Sequence, residues 1–149
     1  MSSQEHELSS KIVDMVDWQK NLLKSLEEVL PHKAYINYVN LLDYVCENKF
    51  KTYYPIVTLR EASQCENDKE LLELVLFFCG STSNFFRITY CYYNEDDTEE
   101  PISAEGYFNA LIKDEVPRGL NSGRHIEGFD KSYISFYCNL NLKCKTQTL

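Results

Sequence analysis

At 149 residues the chain is long enough for one domain with its own core, and 44% hydrophobic with 26% charged residues is the composition of a folded globular protein. It carries 23 acidic against 15 basic residues, a formal charge of -8. Contact with nucleic acid or an anionic membrane takes clustered Lys and Arg, so this balance argues against both and favours a protein partner with a basic surface.

The first residues (MSSQEHELSSK) are polar and acidic where a secretion signal is basic and then apolar. The longest apolar stretch, Leu74 to Cys79, is too short to span a bilayer. Six cysteines (Cys46, Cys65, Cys79, Cys91, Cys138, Cys144) follow no framework spacing and read as reduced thiols buried as small apolar groups. The expected location is cytoplasmic or nuclear.

Residues 1–48 read as two helices. Leu8, Ile12, Met15, Gln19, Leu22, Leu26 and Val29 fall on one seam, with Gln19 its polar interruption. Ser2 with Glu5, or else Ser9 or Ser10, opens this helix, and Pro31 closes it. Val13, Val16, Trp18, Leu23 and Leu30 widen the stripe, so it has two uses: packing on its own domain, or a homodimer through residues 8–30. A second helix over Lys33 to Glu47 gathers Tyr35, Tyr38, Val39, Leu42, Val45 and Cys46 on one face, making a hairpin or elbow about Pro31 and His32.

The pattern then turns β-rich. Lys51 to Leu59 (KTYYPIVTL) reads as a strand, edge or bulged because of Pro55, followed by a polar loop from Arg60 to Lys69. Glu70 to Cys79 is open between a helix capped by Asn67 and a strand. The Gly80-to-Asn84 linker has hairpin composition and favours pairing it as a strand with Phe85 to Tyr93 (FFRITYCYY). Residues 94–100 (NEDDTEE) form an acidic loop, and Gly106 to Glu115 reads as strand or helix. Pro117 to Gly128 is irregular. Along Lys131 to Lys143, Tyr133, Ser135, Tyr137 and Asn139 alternate with Ile134, Phe136, Cys138, Leu140 and Leu142, the pattern of a strand with one apolar face. The expectation is one α+β domain over 1–149: a helical front (1–48), then a mainly antiparallel β-sheet body (49–149).

No motif gathers reactive groups. Cys79 lies eight positions before Arg87, too far for a Cys-x5-Arg phosphate loop. Of the three histidines, only His125, in a Gly-rich loop, is a candidate for catalysis; His6 and His32 fall near a helix start and in an interhelix turn. There is no Cys-x2-Cys zinc pair, and the acidic loop lacks the Asp-x-Asp-x-Asp-Gly order that wraps calcium. No metal, cofactor or catalytic set is expected, and protein binding is the leading expectation. The candidate contacts are the strand tyrosines Tyr53, Tyr54, Tyr90, Tyr92 and Tyr93, with a dimer seam of Ile12, Met15, Gln19, Leu22, Leu26 and Val29. A virus-encoded inhibitor of a host protein and a small enzyme built on His125 are the alternatives.

One resemblance bears on this. The helix leading into VNLLDYVCENKF (Val39 to Phe50), the β-meander through LELVLFF and FFRITYCYY, the acidic insertion ending at Pro101, and a terminal element carrying Phe136 and Tyr137 follow one order. That order resembles the RWD-type globular domains that end kinetochore coiled coils, most nearly the monopolin group. The resemblance implies an RWD-like fold, a role in chromosome segregation, a dimerising helix, a hydrophobic binding patch on the sheet and a helix as the last element. It carries no individual functional residue across.

Overall fold

The computed structural model describes residues 2–144. The chain is α+β, with helices α1 (Ser3–Ser25), α2 (His32–Glu47), α3 (Ile56–Ser63), α4 (Asp68–Cys79) and α5 (Ala104–Lys113). The strands are β1 (Tyr53–Pro55), β2 (Phe86–Tyr93), β3 (Glu99–Ile102) and β4 (Ile134–Leu140), in the sheet order β1-β4-β2-β3. β2 and β3 pair antiparallel, with Tyr90 opposite Ile102 and Tyr93 opposite Glu99. Two compact units divide the chain: residues 1–87 with 138–149, and residues 88–137.

The first unit is built on the helical hairpin. Ser2 is the cap that opens α1, its hydroxyl accepting from the Glu5 amide at 3.1 Å. The helix ends at Ser25, and residues 26–30 run in turns, so Pro31 serves as the N-cap of α2 and does not terminate α1. The face of α1 that is buried is broad: Ile12, Met15, Val16, Trp18, Gln19 and Leu23. Gln19 sits fully buried, its Nε2 donating to the Ser83 carbonyl at 2.8 Å and its Oε1 accepting from the Ser83 hydroxyl at 2.6 Å. The polar break in the seam is thus satisfied on both ends of the amide. On the outer side of the hairpin Lys20 reaches Asp43 at 2.6 Å, a half-exposed pair worth under about 1 kcal/mol.

The end of the segment 51–59, read as a strand, is helical, and 70–79, left open between helix and strand, is helical too. Only Tyr53–Pro55 of the 51–59 segment is extended; α3 begins directly after Pro55 and takes in the first part of the expected polar loop. Proline lacks an amide hydrogen, which costs nothing at a helix entrance, where that donor has no intrahelical partner anyway. The segment 70–79 is α4, and it does not pair with β2. Asn67 Oδ1 accepts from the Glu70 amide at 2.9 Å, while the Glu70 carboxylate accepts from the Glu66 amide at 2.8 Å. Leu71, Leu74, Val75 and Phe78 then share the buried face at helical spacing. The cap and the burial of positions three and four apart outweigh the strand preference of LVLFF. Gly80 to Asn84 is accordingly a helix-to-strand turn, closed by Phe85 N donating to Phe78 O at 2.8 Å.

Burial joins these elements through rings. Phe78 lies 5.6 Å from Phe85 and 6.2 Å from Phe86, and Tyr54 lies 5.3 Å from Phe86 and 6.3 Å from Tyr44. Each such side chain removed from water stabilises by about 1.5–3 kcal/mol. Tyr54 is the exception in polarity: its hydroxyl is buried and has no hydrogen-bond partner among the described residues, and burial pushes its pKa far up.

In the second unit, β2 turns through 94–98 into β3, so residues 99–100 of the expected acidic loop are strand. Of residues 106–115, left open between strand and helix, 106–113 lie in helix α5, capped by Ser103, whose hydroxyl accepts from the Gly106 amide at 2.9 Å. Tyr107 and Phe108 of α5 pack on Tyr90 at 4.8 and 5.7 Å. The irregular 117–128 stretch is tied down by bridges from Gly119 to Ile102 and from Arg118 to His125. After a 3-10 turn at Lys131–Tyr133, the last element is the strand β4, with Phe136, Cys138 and Leu140 buried in alternation. It ends at Leu140, short of Lys143, and it is not the helix that the resemblance implied.

Two stability measurements check this packing. Ser83→Ala leaves a buried Gln19 oxygen without its donor and is expected to cost about 1–3 kcal/mol in urea unfolding, with Gln19→Leu similar and the double variant less than their sum. Tyr54→Phe removes a hydroxyl that bonds to no group among the described residues, so its stability is expected to equal or exceed that of the wild type; a loss above about 1 kcal/mol would reveal a partner for that oxygen.

Candidate functional site

The expected contact tyrosines fall in different places. Tyr53 is 46% exposed on the edge strand β1, while Tyr54 beside it is wholly buried in the ring cluster. Tyr90 is buried against Tyr107 and Phe136. Tyr92 and Tyr93 end β2 and line one groove of about 1020 Å³ in the second unit. Of the seam, Ile12, Met15 and Gln19 are buried within the chain, Leu22 and Leu26 are half-buried, and Val29 is 76% exposed on the turn after α1. The first three are therefore spent on internal packing.

Three segments build the groove: the end of β2 with its turn (Tyr92 to Asp97), the loop at Glu127 and Gly128, and the 3-10 entry at Asp130 and Tyr133. Tyr92 is the pivot. Only 5% exposed, its ring stands edge-on to Tyr133 at 6.4 Å and tilts on Phe129 at 5.4 Å. Its hydroxyl accepts the Asp130 amide at 3.0 Å, which ties the loop to the strand end. Tyr133, 52% exposed, forms the open wall. Sequence reading missed it because its parity on the alternating strand marks only an outward side chain.

Among the described residues five carboxylates, Glu95, Asp96, Asp97, Glu127 and Asp130, line the groove, and no Lys, Arg or His does. Two of them are structural. Asp96 accepts from the Thr98 hydroxyl at 2.6 Å and its amide at 3.2 Å, and Asp130 accepts from the Ser132 hydroxyl at 2.8 Å and its amide at 3.0 Å. For Asp96 the hydroxyl bond, and for Asp130 the amide bond, is foremost in holding the carboxyl below the usual aspartate range. Glu95, Asp97 and Glu127 make no side-chain hydrogen bond or ion pair among the described residues. Lys131, beside Asp130 in sequence, is held by Asp114 at 2.9 Å. The groove is thus an aromatic trough with a negative rim that no cation among the described residues neutralises.

His125 is exposed on a shallow hollow of about 450 Å³ beside Arg118 and Leu120, and no cysteine lines that hollow. Among the described residues its imidazole makes no hydrogen bond, and no group of three or more His, Cys, Asp or Glu side chains is placed to hold a metal ion. All six cysteines are free, and Cys65, Cys91, Cys138 and Cys144 are buried. Burial pushes the Cys91 thiol up to about 11 and raises Cys65 and Cys144. Cys138 is raised by its hydrogen bond with Cys79 and then by burial. None of these four is poised as a nucleophile at neutral pH.

Fold and groove together define an α+β protein with an open acidic-aromatic face. Among the described residues, no helix is long and apolar enough to cross a membrane. No protein-family model, curated protein or solved structure matches the chain.

The thiol environments set a labelling order. With iodoacetamide at about pH 8, Cys65, Cys91, Cys138 and Cys144 are expected to react only as fast as the chain opens, with half-buried Cys46 and Cys79 ahead of them; peptide mass spectrometry reads the order.

Proposed function

We propose that the chain is a non-enzymatic interaction domain that binds another protein, one with a basic surface, through the groove of residues 88–137. The observation that carries this reading is the pairing of an exposed tyrosine wall with Glu95, Asp97 and Glu127, which form no ion pair among the described residues. Rigid rings give contact area at small entropic cost, and the net charge of -8 draws a cationic partner towards the protein. The scattered, unbridged cysteines support a reducing compartment, cytosol or nucleus. The narrower assignment to an RWD-like domain of chromosome segregation rests on the resemblance of residues 39–50 and of the FFRITYCYY strand, since LELVLFF lies in helix α4 and the last described element is the strand β4.

Site-specific photo-crosslinking tests the binding face. A benzoylphenylalanine at position 133 is expected to give discrete protein adducts in the cells that make the chain, and the same residue at exposed position 61 none. Absence of adducts at 133, or an identical pattern at both positions, would count against the proposal.

A further inference from the structure

Resting on that reading, the identity of the groove's occupant follows from how its carboxylates are employed. Asp96 and Asp130 shape the walls, since their oxygens hold the Thr98 turn and the Ser132 entry to β4. Glu95, Asp97 and Glu127 have no such role: they are exposed, line the same groove and bond to no side chain or amide among the described residues. The lysine nearest in sequence is occupied elsewhere, on Asp114. Three like charges gathered around one trough repel each other until a cation enters. The carboxylates are not grouped as metal ligands among the described residues. Their company is aromatic instead, with Tyr133 half open against the edge of Tyr92.

We propose that the groove seats an arginine-bearing extended segment of the partner, its guanidinium against the ring of Tyr133 and within reach of Glu95, Asp97 and Glu127. A guanidinium is planar and weakly hydrated, so it stacks on a ring while its edge forks to carboxylates; an ammonium is a compact, strongly hydrated charge that does only the second.

Fluorescence anisotropy of a labelled alternating arginine–glycine peptide with the full chain, at low ionic strength, is the test. The peptide is expected to bind, the lysine–glycine peptide several-fold more weakly, and the glutamate–glycine peptide not at all. Glu95→Gln with Asp97→Asn and Glu127→Gln is expected to weaken binding about tenfold or more. Glu27→Gln with Glu28→Gln and Glu61→Gln changes the net charge equally on other surfaces and is expected to weaken it less than about twofold. Tyr133→Phe keeps the ring and is expected to keep binding; Tyr133→Leu loses it in part, with melting curves confirming that both fold. Equal weakening by the two triple variants would assign the attraction to overall charge and overturn the proposal, as would lysine matching arginine. If the arginine peptide fails while crosslinks at 133 persist, the arginine assignment falls and protein binding stands. If the peptide binds as described and no crosslinks form, it is the protein-binding reading that fails.

Discussion

Gln19 occupies a position on α1 where the surrounding seam is apolar, and its burial is tolerable only because Ser83 answers both ends of the amide. A buried amide without partners costs several kcal/mol, so α1 can dock in one register alone: the one that brings Gln19 to the turn after α4. That same turn delivers Phe85 and Phe86 to the ring cluster with Phe78 and Tyr54. Non-directional burial supplies most of the stability of this unit, while the Gln19–Ser83 pair selects which of many greasy packings is formed. Directional polar bonds inside an apolar face do this because they are satisfied in a single geometry.

The second unit uses a comparable device at its surface. Tyr92 is mostly buried, yet its hydroxyl takes the Asp130 amide and so fixes the loop that carries Glu127, Asp130 and Tyr133 beside the β2–β3 turn. Asp96 and Asp130 are consumed in holding backbone, and their lowered pKa values record that work. A groove whose walls are braced by charge-assisted bonds is ready before a ligand arrives, which reduces the ordering cost of binding. Glu95, Asp97 and Glu127 and the open face of Tyr133 take no part in that bracing among the described residues.

The reading of α1 as a dimer seam and the reading of the tyrosines as contacts rest on the same kind of pattern. A periodic pattern identifies which side chains share a face, without naming what that face meets. Ile12, Met15 and Gln19 meet the chain's own core, whereas Val29 lies beyond the helix end and stays open. Tyr53 and Tyr54 are neighbours on one strand and so point to opposite sides, one to solvent and one to the interior. No composition argument separates those two tyrosines.

What the sequence by itself determined is local: two helices about Pro31, a strand within 85–93, an alternating strand within 131–143, the α+β class and a surplus of acidic over basic residues. These follow from period, turn residues and charge, which act over a few positions. The tertiary structure decided the rest. It made 56–63 and 70–79 helices, because caps at Pro55 and Asn67 combined with burial of one helical face outweighed strand preference. It also brought Glu127 and Tyr133 beside Tyr92 and Asp97, residues some thirty to forty positions apart that only chain reversal through α5 and the bridged loop sets around one groove. Contacts at that separation leave no periodic trace, so the site exists only in the folded chain.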